Sequence, residues 1–281
     1  MAGSETGKET CLREGNLRRM TEPARVVTFI GAGGKTTCMR VLTWELAAAG
    51  CPVIATTTTK VAPEEEMRSW QGLFPPTVEI GEGARFERLN PCFWYEETGE
   101  DGKWIGPSRQ AVDEAIAAGY GYGDFTSEHS DYVSGNEHYW VIEGDGAKRL
   151  KLKCWANYEP QVPYRTGCGV LVTDGGLWGK ILHREYVHRP EACDEIIGKI
   201  WNAENAWRYF LRSPVFYPEY RRLSWVILFN APGLGLAEGE EILNAFRHCQ
   251  KEINQRENKP EHLRLAAGDA KEGKLRWFDL W

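Results

Sequence analysis

The run Val26-Val27-Thr28-Phe29-Ile30-Gly31-Ala32-Gly33-Gly34-Lys35-Thr36-Thr37 constrains the fold of this chain more than any other stretch. Five apolar or β-branched residues in succession read as a strand buried on both faces. The glycines after them open backbone conformations closed to residues that carry a Cβ. Cys38-Met39-Arg40-Val41-Leu42-Thr43-Trp44-Glu45-Leu46 then continues at helical spacing, with Gly50 as its stop. Strand, glycine loop and helix in that order point to a parallel α/β sheet.

The same segment has the chemistry of a phosphate-binding loop. Glycines let backbone N–H groups close around phosphate oxygens, and the helix N-terminus adds partial positive charge. In this reading Gly31, Ala32, Gly33 and Gly34 form the cradle and Lys35 reaches the terminal phosphates of ATP or GTP. The Thr36 hydroxyl stands where Mg²⁺ is ligated, and Thr37 adds a hydroxyl near the α-phosphate. The common spacing G-x-x-x-x-G-K-[ST] needs a glycine at position 29, which is Phe29, so the loop is a short form, G-x-G-G-K-T-T. It is similar to the G-T-N-G-K-T-T loop of Mur-type ligases, which keeps an ATP-dependent ligase among the candidates. The bland alternative is a glycine turn before a helix.

Later segments repeat the alternation of strand and helix. Pro52-Val53-Ile54-Ala55 reads as a strand running into Thr56-Thr57-Thr58-Thr59-Lys60. There a hydroxyl such as that of Thr58 either ligates Mg²⁺, orders water or touches a γ-phosphate, or merely ends a β-branched strand. From about 62 to 135 the pattern weakens, with prolines at 63, 75, 76, 91 and 107, and the region reads as an irregular insertion holding a small sheet and a helical stretch near Gln110 to Ala118. Tyr139-Trp140-Val141-Ile142 is the next strong strand, and it ends in Glu143-Gly144-Asp145-Gly146. Acids at a strand end suit the second half of a nucleotide site: Asp145 as Mg²⁺ ligand and Glu143 as general base, roles that can be exchanged. Gly169-Val170-Leu171-Val172 and Trp225-Val226-Ile227-Leu228-Phe229 are further strands, separated by helical spacing from Glu191 to Trp207. The expected architecture is a three-layer, P-loop NTPase-like α/β fold with a mainly parallel sheet.

Composition narrows the partners. At 281 residues and 42% hydrophobic content, the chain can bury one large core, expected as a single domain over 23–281. A net charge of −6 offers no broad basic surface for nucleic acid or anionic membrane. No stretch approaches the roughly 20 apolar residues of a spanning helix, and Met1-Ala2-Gly3-Ser4-Glu5 lacks the apolar core of a signal peptide, so a cytoplasmic location is expected. Eight scattered cysteines without a C-x-x-C pair argue against a zinc knuckle or redox dithiol, and most of them read as reduced and buried. Twelve tryptophans read as core and loop packing; several, including Trp155 and Trp178, flank polar loops where an aromatic wall against a planar ligand is the alternative. Residues 1–22, polar and aperiodic, read as a mobile tail.

Four blocks together resemble the YqeC family, over about Val26 to Phe229. The first is the glycine loop with the threonine run. The second is Glu143-Gly144-Asp145-Gly146-Ala147-Lys148, continuing through Leu152-Lys153 to Glu159-Pro160 and Pro163; the third is Asp174-Gly175-Gly176-Leu177-Trp178-Gly179-Lys180; the fourth is Val187-His188-Arg189-Pro190-Glu191. Leu150, Trp155 and Tyr158 depart from the family's Arg, Pro and His. The chain also has Asn230-Ala231-Pro232 where relatives carry an N-K/Q-A-D-like sequence, which leaves ATP against GTP open.

The resemblance implies an accessory role in selenium-cofactor biosynthesis for selenium-dependent molybdenum hydroxylases, with the molybdenum cofactor or such a hydroxylase as partner. It also implies ligand contact by Lys148 and Lys153. His188 and Arg189, just before a helix start, suit contact with a phosphate or anionic substrate. Beside a Mg²⁺-dependent ATPase or GTPase, two alternatives stand: a kinase or ligase acting on a small acceptor, and a nucleotide-gated scaffold that hardly turns over.

Overall fold

Apolar runs too short for helices, separated by glycine or polar turns, set the order of elements. The computed structural model describes residues 11–76, 90–118, 138–247 and 259–281. In chain order these hold β1 (Arg13–Gly15), α1 (Leu17–Thr21), β2 (Val26–Gly31), α2 (Lys35–Ala48), β3 (Val53–Thr57), β4 (Lys60–Val61), β5 (Arg68–Gln71), β6 (Cys92–Tyr95), β7 (Glu97–Thr98), β8 (Trp104–Ile105) and α3 (Arg109–Ala117). There follow β9 (Tyr139–Glu143), β10 (Leu152–Lys153), β11 (Cys168–Asp174), β12 (Val187–His188), α4 (Ala203–Phe210), β13 (Ser224–Asn230), α5 (Leu236–Phe246), β14 (His262–Asp269) and β15 (Lys274–Asp279).

Ten strands form one sheet in the order β1-β15-β14-β13-β11-β2-β9-β3-β6-β5. Every pairing from β14 to β5 is parallel, and β15 and β1 close the other edge antiparallel. The chain is thus α/β with a large, mostly parallel mixed sheet. Successive residues of a strand face opposite sides, and here they feed separate cores. Val27, Phe29, Val170, Val172, Val226 and Leu228 pack with Met39 and Leu42 of α2, whereas Ile30, Leu171, Ile227 and Phe229 pack with Phe210 of α4 and Phe246 of α5. Both sheet faces are covered, which is why the central strands are continuously apolar.

The N-terminal expectation needs correction within the described residues. Of residues 1–22, the first ten lie outside them, but β1 pairs with β15, and Leu17 and Met20 of α1 are fully buried. The Arg18 amide donates to Glu45 on α2 at 2.7 Å, so the segment is packed rather than a mobile tail. Two apolar residues three apart suffice for a one-turn helix to bury a face.

The expected insertion is also more regular than its composition suggests. Parts of 62–135 fall outside the described residues, but β5 and β6 extend the main sheet, and β4, β8 and β7 form a separate three-stranded sheet that α3 follows in sequence. β5 is exposed along its length, so its backbone pairing leaves no apolar alternation to read.

Candidate functional site

The parallel register brings several strand ends to one edge. Phe29 pairs with Glu143, Thr57 with Glu143, Gly31 with Val172, and Asp174 with Asn230. The glycine loop leaves β2 at this carboxyl edge, where ligands of parallel α/β sheets bind.

Gly31, Gly33 and Gly34 have φ of +94°, +80° and +108°. A Cβ on Gly31 would lie 2.4 Å from the Val172 carbonyl oxygen, so both conformation and space require glycine. Gly34 caps α2 without a side chain, leaving first-turn amides that have no intrahelical acceptor. The loop itself is anchored. Ala32 N–H donates to Val172 O at 2.9 Å, Gly33 N–H to Leu150 O at 3.3 Å, and the Asn230 side-chain amide to Gly33 O at 3.0 Å. Asn230 also accepts from the Ala270 amide, so both ends of its side chain are in use.

Behind the loop lies a buried chain of charges. Asp145, with no exposed surface, accepts from the Gly31 amide at 3.1 Å and from Trp155 Nε1 at 2.7 Å, and lies 3.2 Å from Lys35 Nζ and 3.5 Å from Lys153 Nζ. Lys153, equally buried, donates to Gly146 O at 2.6 Å and Glu159 at 2.9 Å, and Glu159 in turn meets Arg189 Nε at 3.0 Å. Alternating signs are what allow these groups to sit in low dielectric.

Lys35 does not project outward; its Nζ donates to Gly31 O at 2.7 Å and lies 3.8 Å from Glu143. Burial by itself would lower its pKa, but the charges of Asp145 and Glu143 outweigh that and hold it above the ordinary value. Burial raises the Glu143 carboxyl, with Lys35 and the Thr36 hydroxyl opposing the rise. Thr36 Oγ1 is 2.9 Å from Glu143 Oε2, and Thr36 itself is exposed.

The fold therefore gathers Gly31 through Thr37 with Glu143, Asp145 and Lys153. Thr37 is half-buried one position along α2. The Thr58 hydroxyl donates to Gln161 O at 2.7 Å, and its amide to Glu143 O. Lys148 is exposed in a left-handed turn with Arg149, their φ being +50° and +60°. His188 pairs in register with Lys153, and burial, then Lys153 and Arg189, lower its pKa. Arg189 also meets the Tyr158 hydroxyl at 2.7 Å.

Three further residues shape the site beyond those the sequence pointed to as ligands. Trp155 holds Asp145, Glu159 bridges Lys153 to Arg189, and Asn230 fixes Gly33. Both Trp155 and Glu159 lie in the second block, the nearest to a signal for them. Most of the described cysteines are free, as expected, and one pair is the exception: Cys154 and Cys193 form a disulfide, Cα atoms 6.1 Å apart across 39 residues. Distant positions meet because Cys154 follows β10 and Cys193 follows β12, its parallel neighbour.

This is a glycine-loop site at the carboxyl edge of a mainly parallel α/β sheet, with acids on the strand next to the loop. The YqeC protein family matches residues 27–191, more than half of the chain, and the chain belongs to that family. The Uncharacterized protein YqeC of Escherichia coli (strain K12) is 26% identical over 175 residues, 62% of this chain and 60% of that protein. The match thus spans about three fifths of the relative's length. No solved structure matches. Among the described residues no helix is long and apolar enough to cross a membrane.

Proposed function

We propose that the chain binds a nucleoside triphosphate with Mg²⁺ in the manner of P-loop proteins and hydrolyses ATP or GTP in support of maturing a selenium- and molybdenum-containing hydroxylase. The observation carrying this reading is the three left-handed glycines that feed directly into the N-terminus of α2, with Lys35 and Thr36 on its first turn against Glu143 of β9. The pathway rests on resemblance to the YqeC family alone.

The donor set fits a hard cation. The Thr36 hydroxyl and the Glu143 carboxylate offer adjacent oxygens, the ligand type Mg²⁺ takes alongside phosphate and water. Among the described residues no group of three or more His, Cys, Asp or Glu is arranged to hold a metal alone, consistent with a cation that arrives with nucleotide. Asp145 fits the metal role less well, because its oxygens already serve Gly31, Lys35, Lys153 and Trp155. Mg²⁺ would supply charge neutralisation at the phosphates. Lys35 would turn from Gly31 O to a phosphate oxygen; were Mg²⁺ held by Thr36, phosphate and water alone, Glu143, its carboxyl raised by burial, would instead be suited to take a proton from water.

Transfer to a small anionic acceptor is a second reading, favoured by Lys148 and Arg149, which form no ion pair with a described residue. Calorimetric titration with ATP and GTP, with and without Mg²⁺, tests the first reading. Lys35→Ala, which removes a charge-assisted contact, should weaken binding by about 1.5–3 kcal/mol. Unchanged affinity in the folded variant refutes the assignment of the loop.

A further inference from the structure

The Cys154–Cys193 disulfide lies within the scaffold of the phosphate loop. Both neighbours of Cys154 in sequence, Lys153 and Trp155, contact Asp145, which accepts the Gly31 amide. On the other side, the Cys154 amide donates to His188 O at 2.9 Å, and Arg189 pairs with Glu159. Cys193 sits in the 3₁₀ segment Pro190–Ile196, at a backbone kink. Both cysteines are buried, but Glu191, Ala192 and Asp194 around Cys193 are exposed. Cys193 itself lies in this short turn, which has no α-helical bonding and exposed residues on either side of it, the kind of segment that opens locally at low cost.

We propose that Cys154 and Cys193 are a redox-active pair whose oxidation state sets how firmly Asp145 holds the Gly31 amide and Lys35, and thereby how readily the loop accepts phosphate; the ligand half of this rests on the nucleotide reading above. A dithiol, small or protein-borne, attacks one sulfur through its thiolate, and the resulting mixed disulfide resolves with the second thiol. Two electrons and two protons pass to the pair, giving two cysteine thiols and an oxidised dithiol.

The direction follows from what Asp145 occupies. The Gly31 amide and the Lys35 ammonium are the groups a phosphate would take, and the disulfide steadies the segment that keeps Asp145 against them. Reduction lets that segment relax, so Asp145 competes less well and the reduced form binds Mg-nucleotide more tightly. A change of about tenfold lies within the range usual for coupled sites.

The test compares oxidised and dithiol-reduced full-length chain, the state of each checked by mass after alkylation. Amide exchange of Gly31 is followed beside Ala32, whose amide is bound to Val172 O and serves as an internal control. Gly31 should exchange about tenfold faster on reduction while Ala32 is unchanged. Mg-ATP and Mg-GTP affinities are measured on the same samples. The Cys154→Ser/Cys193→Ser double variant should match the reduced form and ignore dithiol. A Gly31 amide indifferent to reduction, equal nucleotide affinity in both forms, or equal acceleration through β13 and β14 as expected of a plain staple, overturns the proposal. No nucleotide binding in either form beside a responsive Gly31 amide defeats the nucleotide reading and keeps the redox link.

Discussion

Lys153→Met removes one charge from the middle of the buried network with little change in side-chain length. Lys153 has no exposed surface, and its ammonium joins Asp145, Glu159 and the Gly146 carbonyl. Breaking a buried ion pair from one side costs about 3–5 kcal/mol, because the remaining charge is left unpaired in low dielectric. Here each carboxylate keeps a cation, Lys35 beside Asp145 at 3.2 Å and Arg189 beside Glu159 at 3.0 Å. The expected loss at pH 7 is therefore somewhat smaller, about 2–4 kcal/mol.

The pH dependence adds a second readout. Burial would raise the Glu159 carboxyl, but its hydrogen bond and charge contact with Lys153, with help from Arg189, hold it below its ordinary value. A depressed carboxylate stabilises the fold above its unfolded pKa, and that stabilisation disappears as pH falls through the folded value. The difference between wild type and Lys153→Met should thus be full at neutral pH and shrink as pH falls below the ordinary value of 4.5. Urea unfolding at pH 7 and at several acidic values measures both. A loss under about 1 kcal/mol at pH 7, or one that does not shrink in acid, would show that Lys153 is not held by charge in the way described.

Other perturbations separate the parts of the site and fold. Glu143→Gln should abolish most Mg²⁺ assistance of nucleotide binding. In the wild type that assistance should grow as pH rises through a carboxyl titration above the usual range, because a metal takes the deprotonated form, and the Gln variant should be flat; calorimetry over a pH series reads this. Leu17→Ala, in a helix that lies where the polar sequence reads as a tail, should cost about 2–5 kcal/mol in urea unfolding, whereas a mobile tail would give none.

Central elements were legible in the sequence because burial on both faces writes a continuous apolar run. The strand expected over Tyr139–Ile142 is Tyr139–Glu143, that over Trp225–Phe229 is Ser224–Asn230, and the helical stretch near Gln110–Ala118 is Arg109–Ala117. Helical spacing expected from Glu191 to Trp207 is split between the 3₁₀ turn Pro190–Ile196 and α4, kinked at Cys193. The pair β14 and β15 leaves no clear trace in the sequence: Arg264, Lys274 and Arg276 interrupt the apolar pattern near one end of the sheet.

At the site, the glycines, Lys35, Thr36 and the two acids were legible as residue types. Their mutual arrangement was not. That Asp145 faces the Gly31 amide depends on register between β2 and β9, and that Trp155 reaches Asp145 depends on how the chain folds back between β9 and β10. The disulfide depends likewise on β10 lying beside β12, a pairing of two residues with no pattern of its own.

The anchoring of the glycine loop bears on when its order is acquired. Asp145 after β9, Val172 on β11, Asn230 on β13 and the Leu150 carbonyl hold Gly31, Ala32 and Gly33 from separate parts of the chain. Fixing a residue's backbone costs about 1–2 kcal/mol of entropy, and glycine loses more than others. That cost is met as the sheet folds, so an anion bound as proposed would need only to exchange contacts with groups already in place, without waiting for a loop to find its shape.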